Sequence, residues 1–235
     1  MMRETVLAFI PAKGNSRRLP GKNKRLMNGY SLVEWAISCT MNCFEIDHII
    51  VNTDDQEIRD SSVAFGVEVF DRDPSLVSDS TGLYEVCRGM CETLMGQARV
   101  WDGILLLEPT GPLRRPQDVD AVIRRWRISD AECVATFHKD KPLSFHAENV
   151  DGYCKILDPS QIGKRSQDMP PLYNYNSIAN VMTWSAMMRG GAQGYLAAPD
   201  RIEMYETSIM DAIDIDSEDD WEMAATLMRE RLRYG

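Results

Sequence analysis

Positive charge is scarce in this 235-residue chain: 26 lysines and arginines face 36 aspartates and glutamates, a formal net charge of −10. General nucleic-acid binding needs a basic face of domain size, and this composition excludes it. Histidine is rarer still. His48 lies in an apolar run while His138 and His146 flank a polar stretch, and histidines so isolated read as structural. Long apolar runs are missing too, none approaching the roughly 18 residues that suggest a membrane span, so no membrane association is expected. The opening MMRETVLAFIPA has a short apolar segment but no small-residue cleavage site, so no signal peptide is expected either. No C-x-x-C occurs among the 6 cysteines. Cys39/Cys43 and Cys87/Cys91 have nominal zinc spacing, but both pairs fall inside helical apolar patterns without a glycine-bearing knuckle. With Cys133 and Cys154 they read as free thiols of a reducing compartment, and the expected location is the cytoplasm. Neither a repeat nor a low-complexity linker interrupts the chain, so residues 1–235 read as a single domain.

What is present is an alternation of short apolar runs and amphipathic stretches. VLAFI (6–10), HIIVN (48–52), VEVF (67–70), GILLLE (103–108) and CVATF (133–137) are apolar at nearly every position, as strands covered on both faces should be. Between them lie helix signatures. Ser31 with Glu34 forms a capping box opening a helix to about Asn42, and Asp54 with Glu57 does the same for 55–65. Thr81 to Met95 carries Leu83, Val86, Cys87, Met90 and Leu94 at helical spacing, and Pro116 suits the first position of a helix to about Ser129. Such alternation predicts an α/β fold, a mostly parallel sheet with flanking helices. From 138 to about 176 the chain turns rich in Pro, Asn, Asp and Gly, with a hairpin signal at 149–152. This stretch, 139–176, reads as an inserted arm. The core resumes with IANVMTW (178–184) and the strand MDAIDI (210–215). A last helix from Ser217 to about Arg233 places Trp221, Ala225, Met228 and Leu232 on one face.

Two constellations carry chemistry. Between Lys13 and Arg25 stand six basic side chains (Lys13, Arg17, Arg18, Lys22, Lys24, Arg25) and no acidic one. Placed after the first strand, at the carboxyl end of a parallel sheet, this glycine-containing loop reads as a local anion site for phosphate. It is neither of two familiar phosphate loops: six residues separate Gly14 from Gly21 and Asn23 follows Lys22, so Walker A fails, and G-x-G-x-x-G is absent. At the far end, Asp214 and Asp216 are two apart on a predicted strand, on one side of it, and two like charges that close need a cation. Ser217 and Asp220 are already used as the cap of the last helix.

Together with "LLLEPTGPLRRPQD" (105–118), these stretches resemble the acylneuraminate cytidylyltransferase family, the CMP-sialic acid synthetases. The family's opening loop stands here as Ile10-Pro11-Ala12-Lys13, Ser16-Arg17, Pro20 and Lys22-Asn23. Its second strand end is matched by Asn52-Thr53-Asp54-Asp55. Further matches are Asp71-Arg72-Asp73-Pro74 with Ser78-Asp79-Ser80, the run Leu106 to Arg114, Arg165 to Pro170 with Tyr173 and Asn176, and Asp214-Ile215-Asp216. The resemblance is colinear over nearly the whole chain. It implies a Rossmann-like fold of the nucleotide-diphospho-sugar transferase type. The implied substrates are CTP and an acidic nine-carbon 2-keto sugar, whose anomeric hydroxyl attacks the α-phosphate and releases pyrophosphate. The resemblance assigns Ala12, Lys13, Gly14, Asn15, Ser16, Arg17, Lys22 and Asn23 to the nucleotide, with Arg72, Ser80 and Thr81 at base and ribose. It assigns Glu108, Thr110, Arg165, Tyr173 and Asn176 to the sugar, and Mg²⁺ or Mn²⁺ to Asp214 and Asp216. Lys22, Arg17, Asp214 and Asp216 are the implied catalytic groups. The arm would make a homodimer in which Arg165 of one subunit reaches the other's site.

Four departures from the family pattern stand out. Lys13 replaces an arginine, Gly82 and Leu83 stand where a second serine is usual, Glu108 replaces a glutamine, and Asn174-Tyr175-Asn176-Ser177 replaces Arg-Pro-Asn-Gly. The last two fall on the sugar side and leave the acceptor open among N-acetylneuraminic, legionaminic and pseudaminic acids. A 3-deoxy-octulosonate-type nucleotidyltransferase, or a catalytically idle nucleotide-binding module, is the rival reading.

Overall fold

The first strand sets the architecture. In the computed structural model, which describes residues 5–78, 80–140, 147–189 and 201–234, β1 (Val6–Pro11) is buried along its whole length. Its side chains alternate between two cores, Val6, Ala8 and Ile10 on one face and Leu7 and Phe9 on the other, because successive strand residues point to opposite faces. Each such large apolar side chain contributes about 1.5–3 kcal/mol by leaving water.

Around β1 lie β4 (His48–Thr53), β5 (Glu68–Asp71), β6 (Gly103–Leu106), β7 (Cys133–Lys139), β10 (Tyr173–Thr183) and β11 (Ile202–Thr207), while β2 (Leu26–Met27) and β3 (Tyr30–Ser31) form a separate small pair. The main sheet runs β11-β7-β10-β6-β1-β4-β5. Its pairs are parallel except where β10 lies antiparallel between β6 and β7. Helices α1 (Leu32–Met41) and α4 (Pro116–Ile128) cover one face; α3 (Leu83–Gly96) and α5 (Trp184–Arg189) cover the other. A third cluster joins Leu19, Leu113 and Ile215 to Trp221 and Met228 of α6 (Glu218–Tyr234). The sheet is thus a mostly parallel, Rossmann-like layer between helices. Strand order reverses between β1 and β6, and at such a switch point the loops beyond the carboxyl ends open a crevice.

The helix starts follow from local chemistry. Ser31 Oγ accepts the Glu34 N–H at 3.2 Å while the Glu34 carboxylate accepts the Ser31 N–H at 2.7 Å, and Pro116 occupies the first turn of α4. At α2 (Gln56–Ala64) the cap lies one residue later than the sequence suggests: Asp55, not Asp54, accepts from the N–H groups of Glu57 and Ile58. Asp54 is used elsewhere, as described below. Ser217 and Asp220 exchange bonds as expected, Ser217 N–H to Asp220 at 2.9 Å and Asp220 N–H to Ser217 Oγ at 3.2 Å.

Two expectations need correction. Residues 210–215 form turns and extended chain rather than a strand, and the edge strand is β11, at 202–207. Asp211 and Ile215 are buried, but single contacts fix them instead of a ladder. Leu232 is exposed, the buried face of α6 being Trp221, Ala224 and Met228. The arm carries the hairpin β8 (Ala147–Val150) and β9 (Tyr153–Ile156), joined at Asp151-Gly152. Because β7 continues to Lys139 and β10 starts at Tyr173, the excursion from the sheet covers 140–172. The opening residues 1–4, Asp79 and His146 lie outside the described residues. No described helix is long and apolar enough to cross a membrane.

Candidate active site

The loop after β1 is held open by specific bonds. The Gly14 N–H donates to Asp54 Oδ1 at 2.9 Å, and a Cβ on Gly14 would fall 2.5 Å from Asp55 Oδ2, so only glycine permits this approach. Gly21 takes a left-handed φ of 66° ahead of the single turn Lys22–Lys24. Just past the strand, Ala12 places its N–H on Asn52 O, and Asn15 Oδ1 accepts the Ser16 N–H at 3.0 Å. Asn23 donates from Nδ2 to Lys13 O at 2.8 Å, leaving its buried Oδ1 without a donor. A buried acceptor left empty costs free energy unless a ligand supplies an N–H or O–H.

The six cations divide their work. Lys24 binds Asp55 at 2.9 Å and Glu57 at 3.2 Å, and Arg25 grips Glu218 at 2.7 Å over the Trp221 ring, so these two fasten the loop. Lys22 is 8% exposed, its Nζ donating to Ile215 O at 2.7 Å and Asp216 Oδ1 at 2.9 Å. Arg18 holds the other oxygen of Asp216. Lys13 and Arg17 line the cavity between the loops.

The opposite wall comes from the loop after β6. Burial first, then the Asp214 carboxylate, pushes the Glu108 carboxyl up to about 7, with Asp216 adding to the rise and Arg114 and Lys22 opposing it. The Glu108 carboxylate has no hydrogen-bond or ion-pair partner among the described residues. Arg114, buried beneath it, donates instead to the backbone oxygens of Glu108 and Ser177. The Ile215 N–H donates to Thr110 O at 2.9 Å, drawing the Asp214–Asp216 segment against this wall. A strand does not place the two aspartates, then; Ile215 does, bonded on one side to Thr110 and on the other to Lys22.

A cavity of about 440 Å³ results, in the size range of small-molecule sites. Lys13, Asn15, Ser16, Arg17, Lys22, Asn23, Arg72, Thr81, Glu108 and Thr110 all line it. Arg72 is fixed there by Nε on Asn52 Oδ1 at 3.0 Å. Ser80 does not line it, its hydroxyl lying 2.8 Å from that of Ser78. Nor do Arg165, Tyr173 and Asn176. Arg165 pairs with Asp168 at 2.7 Å on the arm, Tyr173 opens β10 opposite Lys139, and Asn176 is buried in a β-bulge with its amide on Thr207 Oγ1 at 3.0 Å. Arg18, counted in the basic run but given no role of its own, and Asp54, expected as a helix cap, also belong to this candidate site; nothing in the sequence links Asp54 to Gly14. A larger cavity of about 790 Å³ opens behind Arg72, but Asp71, Asp73, Glu85 and Glu92 line it, the wrong sign for a phosphate chain.

Asp214 is exposed with no ion-pair partner among the described residues, and Asp216, two residues on, has its two carboxylate oxygens on Arg18 and Lys22. Oxygen-only donors of this kind suit a hard divalent cation. No group of three or more metal-ligating side chains assembles among the described residues, so these two would need ligand oxygens to complete a coordination shell.

Residues 7–225 match the family model described as cytidylyltransferase. The chain is 26% identical to the CMP-N,N'-diacetyllegionaminic acid synthase of Legionella pneumophila over 95% of its own length and 96% of that protein. It is 26% identical to a pseudaminic acid cytidylyltransferase of Campylobacter jejuni, over 72% of this chain and 74% of that one. It is 24% identical to an N-acylneuraminate cytidylyltransferase of Streptococcus agalactiae over 92% of its length, spanning only 51% of that longer relative. Among solved structures, a CMP:2-keto-3-deoxy-manno-octonic acid synthetase complexed with CTP superposes with a TM-score of 0.71 at 16% identity, covering 97% of this chain and 99% of that one.

Proposed function

This chain belongs to the cytidylyltransferase family, and from that premise we propose that it joins CTP to a nonulosonic acid, giving the CMP-sugar and pyrophosphate. The observation that carries the reading is the meeting of three loops at one crevice. Lys22 binds Asp216 and Ile215, Ile215 binds Thr110, and the unpaired Glu108 carboxylate faces the same cavity. Phosphoryl transfer asks a protein for positioning and charge neutralisation rather than a covalent nucleophile.

Lys13, Arg17 and Lys22 with the loop amides would hold the triphosphate, and Asn23 Oδ1 would accept from the nucleoside. Asp214 and Asp216 would hold Mg²⁺ or Mn²⁺, which when bound offsets charge on the phosphates. The acceptor's anomeric hydroxyl gives up its proton to solvent as its oxygen forms the new bond to the α-phosphorus, the bond to the β-phosphate oxygen breaks, and pyrophosphate carries away the displaced charge. Glu108 and Thr110 are the acceptor-side groups this chain supplies. Arg165, tied to Asp168 on the arm, would act in the site of a second subunit, which makes the homodimer part of the proposal. A cytoplasmic location goes with these substrates.

Pyrophosphate release measured with each nucleoside triphosphate and a panel of acidic sugars tests the reading. Turnover with CTP and a nonulosonic acid supports it; turnover only with 3-deoxy-octulosonate, or none at all, overturns it. Within that assay Asp216→Asn is expected to abolish turnover while melting shifts by only a few degrees, and EDTA to do the same to the wild type. An Asp216→Asn enzyme that keeps most of its activity removes the metal assignment.

A further inference from the structure

The segment carrying Asp214 and Asp216 belongs to no sheet ladder, so something other than strand pairing must fix it. Downstream, the Asp220 carboxylate accepts the N–H groups of Asp216 at 3.1 Å and Ser217 at 2.9 Å. Upstream, Asp211 is 2% exposed and receives two arginines. Its Oδ2 lies 3.2 Å from Arg115 Nε, and its Oδ1 accepts from Arg115 Nη2 at 3.3 Å and from Arg231 Nη2. Arg231, near the end of α6, also donates to Leu113 O. One carboxylate therefore ties together the residue that precedes α4, the last helix, and the aspartate segment.

We propose that Asp211 is a positioning residue for the aspartate pair, its ion triad with Arg115 and Arg231 holding the segment so that Asp214 and Asp216 reach the crevice. The distance along the chain is short: three residues of extended backbone span at most about 10 Å. A loosened anchor at 211 thus removes the upstream restraint on Asp214 and leaves the pair held only by the Ile215 bonds to Thr110 and Lys22 and by the Asp220 cap. The inference rests on the reading that Asp214 and Asp216 hold a divalent cation.

The test uses Asp211→Asn, which removes the charge, and Arg231→Lys, which keeps charge but loses the planar fork. Neither residue lines the cavity. Mn²⁺ binding to the enzyme with a non-hydrolysable CTP analogue is followed by electron paramagnetic resonance, and affinity for the analogue without metal by calorimetry. Both variants are expected to weaken Mn²⁺ binding about tenfold or more, as outer-shell substitutions do, while metal-free affinity for the analogue stays within about twofold. The half-saturating Mg²⁺ in turnover should rise in parallel. Wild-type Mn²⁺ affinity in a variant that still melts cooperatively overturns the proposal; if Asp211→Asn does not fold, Arg231→Lys decides alone. A wild type that binds no Mn²⁺ overturns the metal assignment as well, which separates the two failures.

Discussion

Glu108 shows what one side chain can decide. Its carboxyl is raised from 4.5 to about 7 by burial and by Asp214, with Asp216 adding and Arg114 and Lys22 subtracting. Between those two values the native state holds a proton that the unfolded chain has released, so stability falls as pH rises across that window. Above it the cost is about 3 kcal/mol before solvent screening reduces it. Glu108→Gln removes that cost. The variant should melt with the wild type below pH 4.5 and above it in alkaline buffer, and equal melting at both pH values would mean another group already neutralises the carboxylate. A glutamine also restores a donor that an ionised glutamate lacks. Glu108→Gln is expected to leave CTP affinity unchanged and to improve kcat/KM for N-acetylneuraminic acid relative to the native acceptor; unchanged ratios would make Glu108 structural. At this scale the cation-lined crevice was readable, because charge concentrated in an acidic chain has few structural explanations. The setting of Asn176 was not, since its amide partner, Thr207, lies far along the chain.

Elements whose ends are written in local chemistry were legible, and those defined by distant partners were not. The Ser31/Glu34 box and the proline of α4 need nothing beyond their own turn. Ser31→Ala is expected to cost about 1 kcal/mol, a lost cap, measured as a drop in melting temperature with CTP affinity unaffected. A loss several times larger would give Ser31, which also pairs with Leu26 across β2 and β3, a tertiary role. The sequence does not announce β11, because an edge strand broken by Glu203 and Glu206 shows little apolar signal, and its place in the sheet depends on pairing with β7. The false strand at 210–215 has the converse cause. Its residues have the apolar content of a strand, but Asp211 is inward because of two arginines, not because of a pleat. The antiparallel direction of β10 likewise follows from the arm, which returns the chain to the sheet beside β7.

For the molecule as a whole, the arm leaves Val150, Tyr153, Leu157 and Ile162 exposed on a two-stranded hairpin and its short continuation. A lone hairpin is marginal in water, and apolar residues clustered on it favour association. Sedimentation is expected to show a dimer. If the arm completes a neighbouring site, mixing inactive Arg165→Ala and Lys22→Ala proteins should recover up to about a quarter of wild-type turnover, since one site of each mixed dimer carries neither lesion. No recovery after verified subunit exchange would confine each site to its own chain. The parallel core could be drawn from the sequence because its strands announce themselves; what the arm would reach could not, since the proposed partner is a second copy of the chain.

The pairing of Lys22 and Arg18 with Asp216 makes the two ligands of the proposed reaction dependent on each other. Before anything binds, the carboxylate and the two cations satisfy one another. A triphosphate that attracts the cations uncovers the carboxylate, and a divalent ion that takes the carboxylate releases the cations, so each ligand performs part of the other's opening work. Such coupling is reciprocal: whatever factor the nucleotide adds to metal affinity, the metal returns to the nucleotide. Arg18→Ala should therefore bind Mn²⁺ more tightly than the wild type when no nucleotide is present, and should gain less when the CTP analogue is added. Identical gains in the two proteins, read by calorimetry, would show that Asp216 never exchanges partners, and metal and nucleotide would then arrive as strangers.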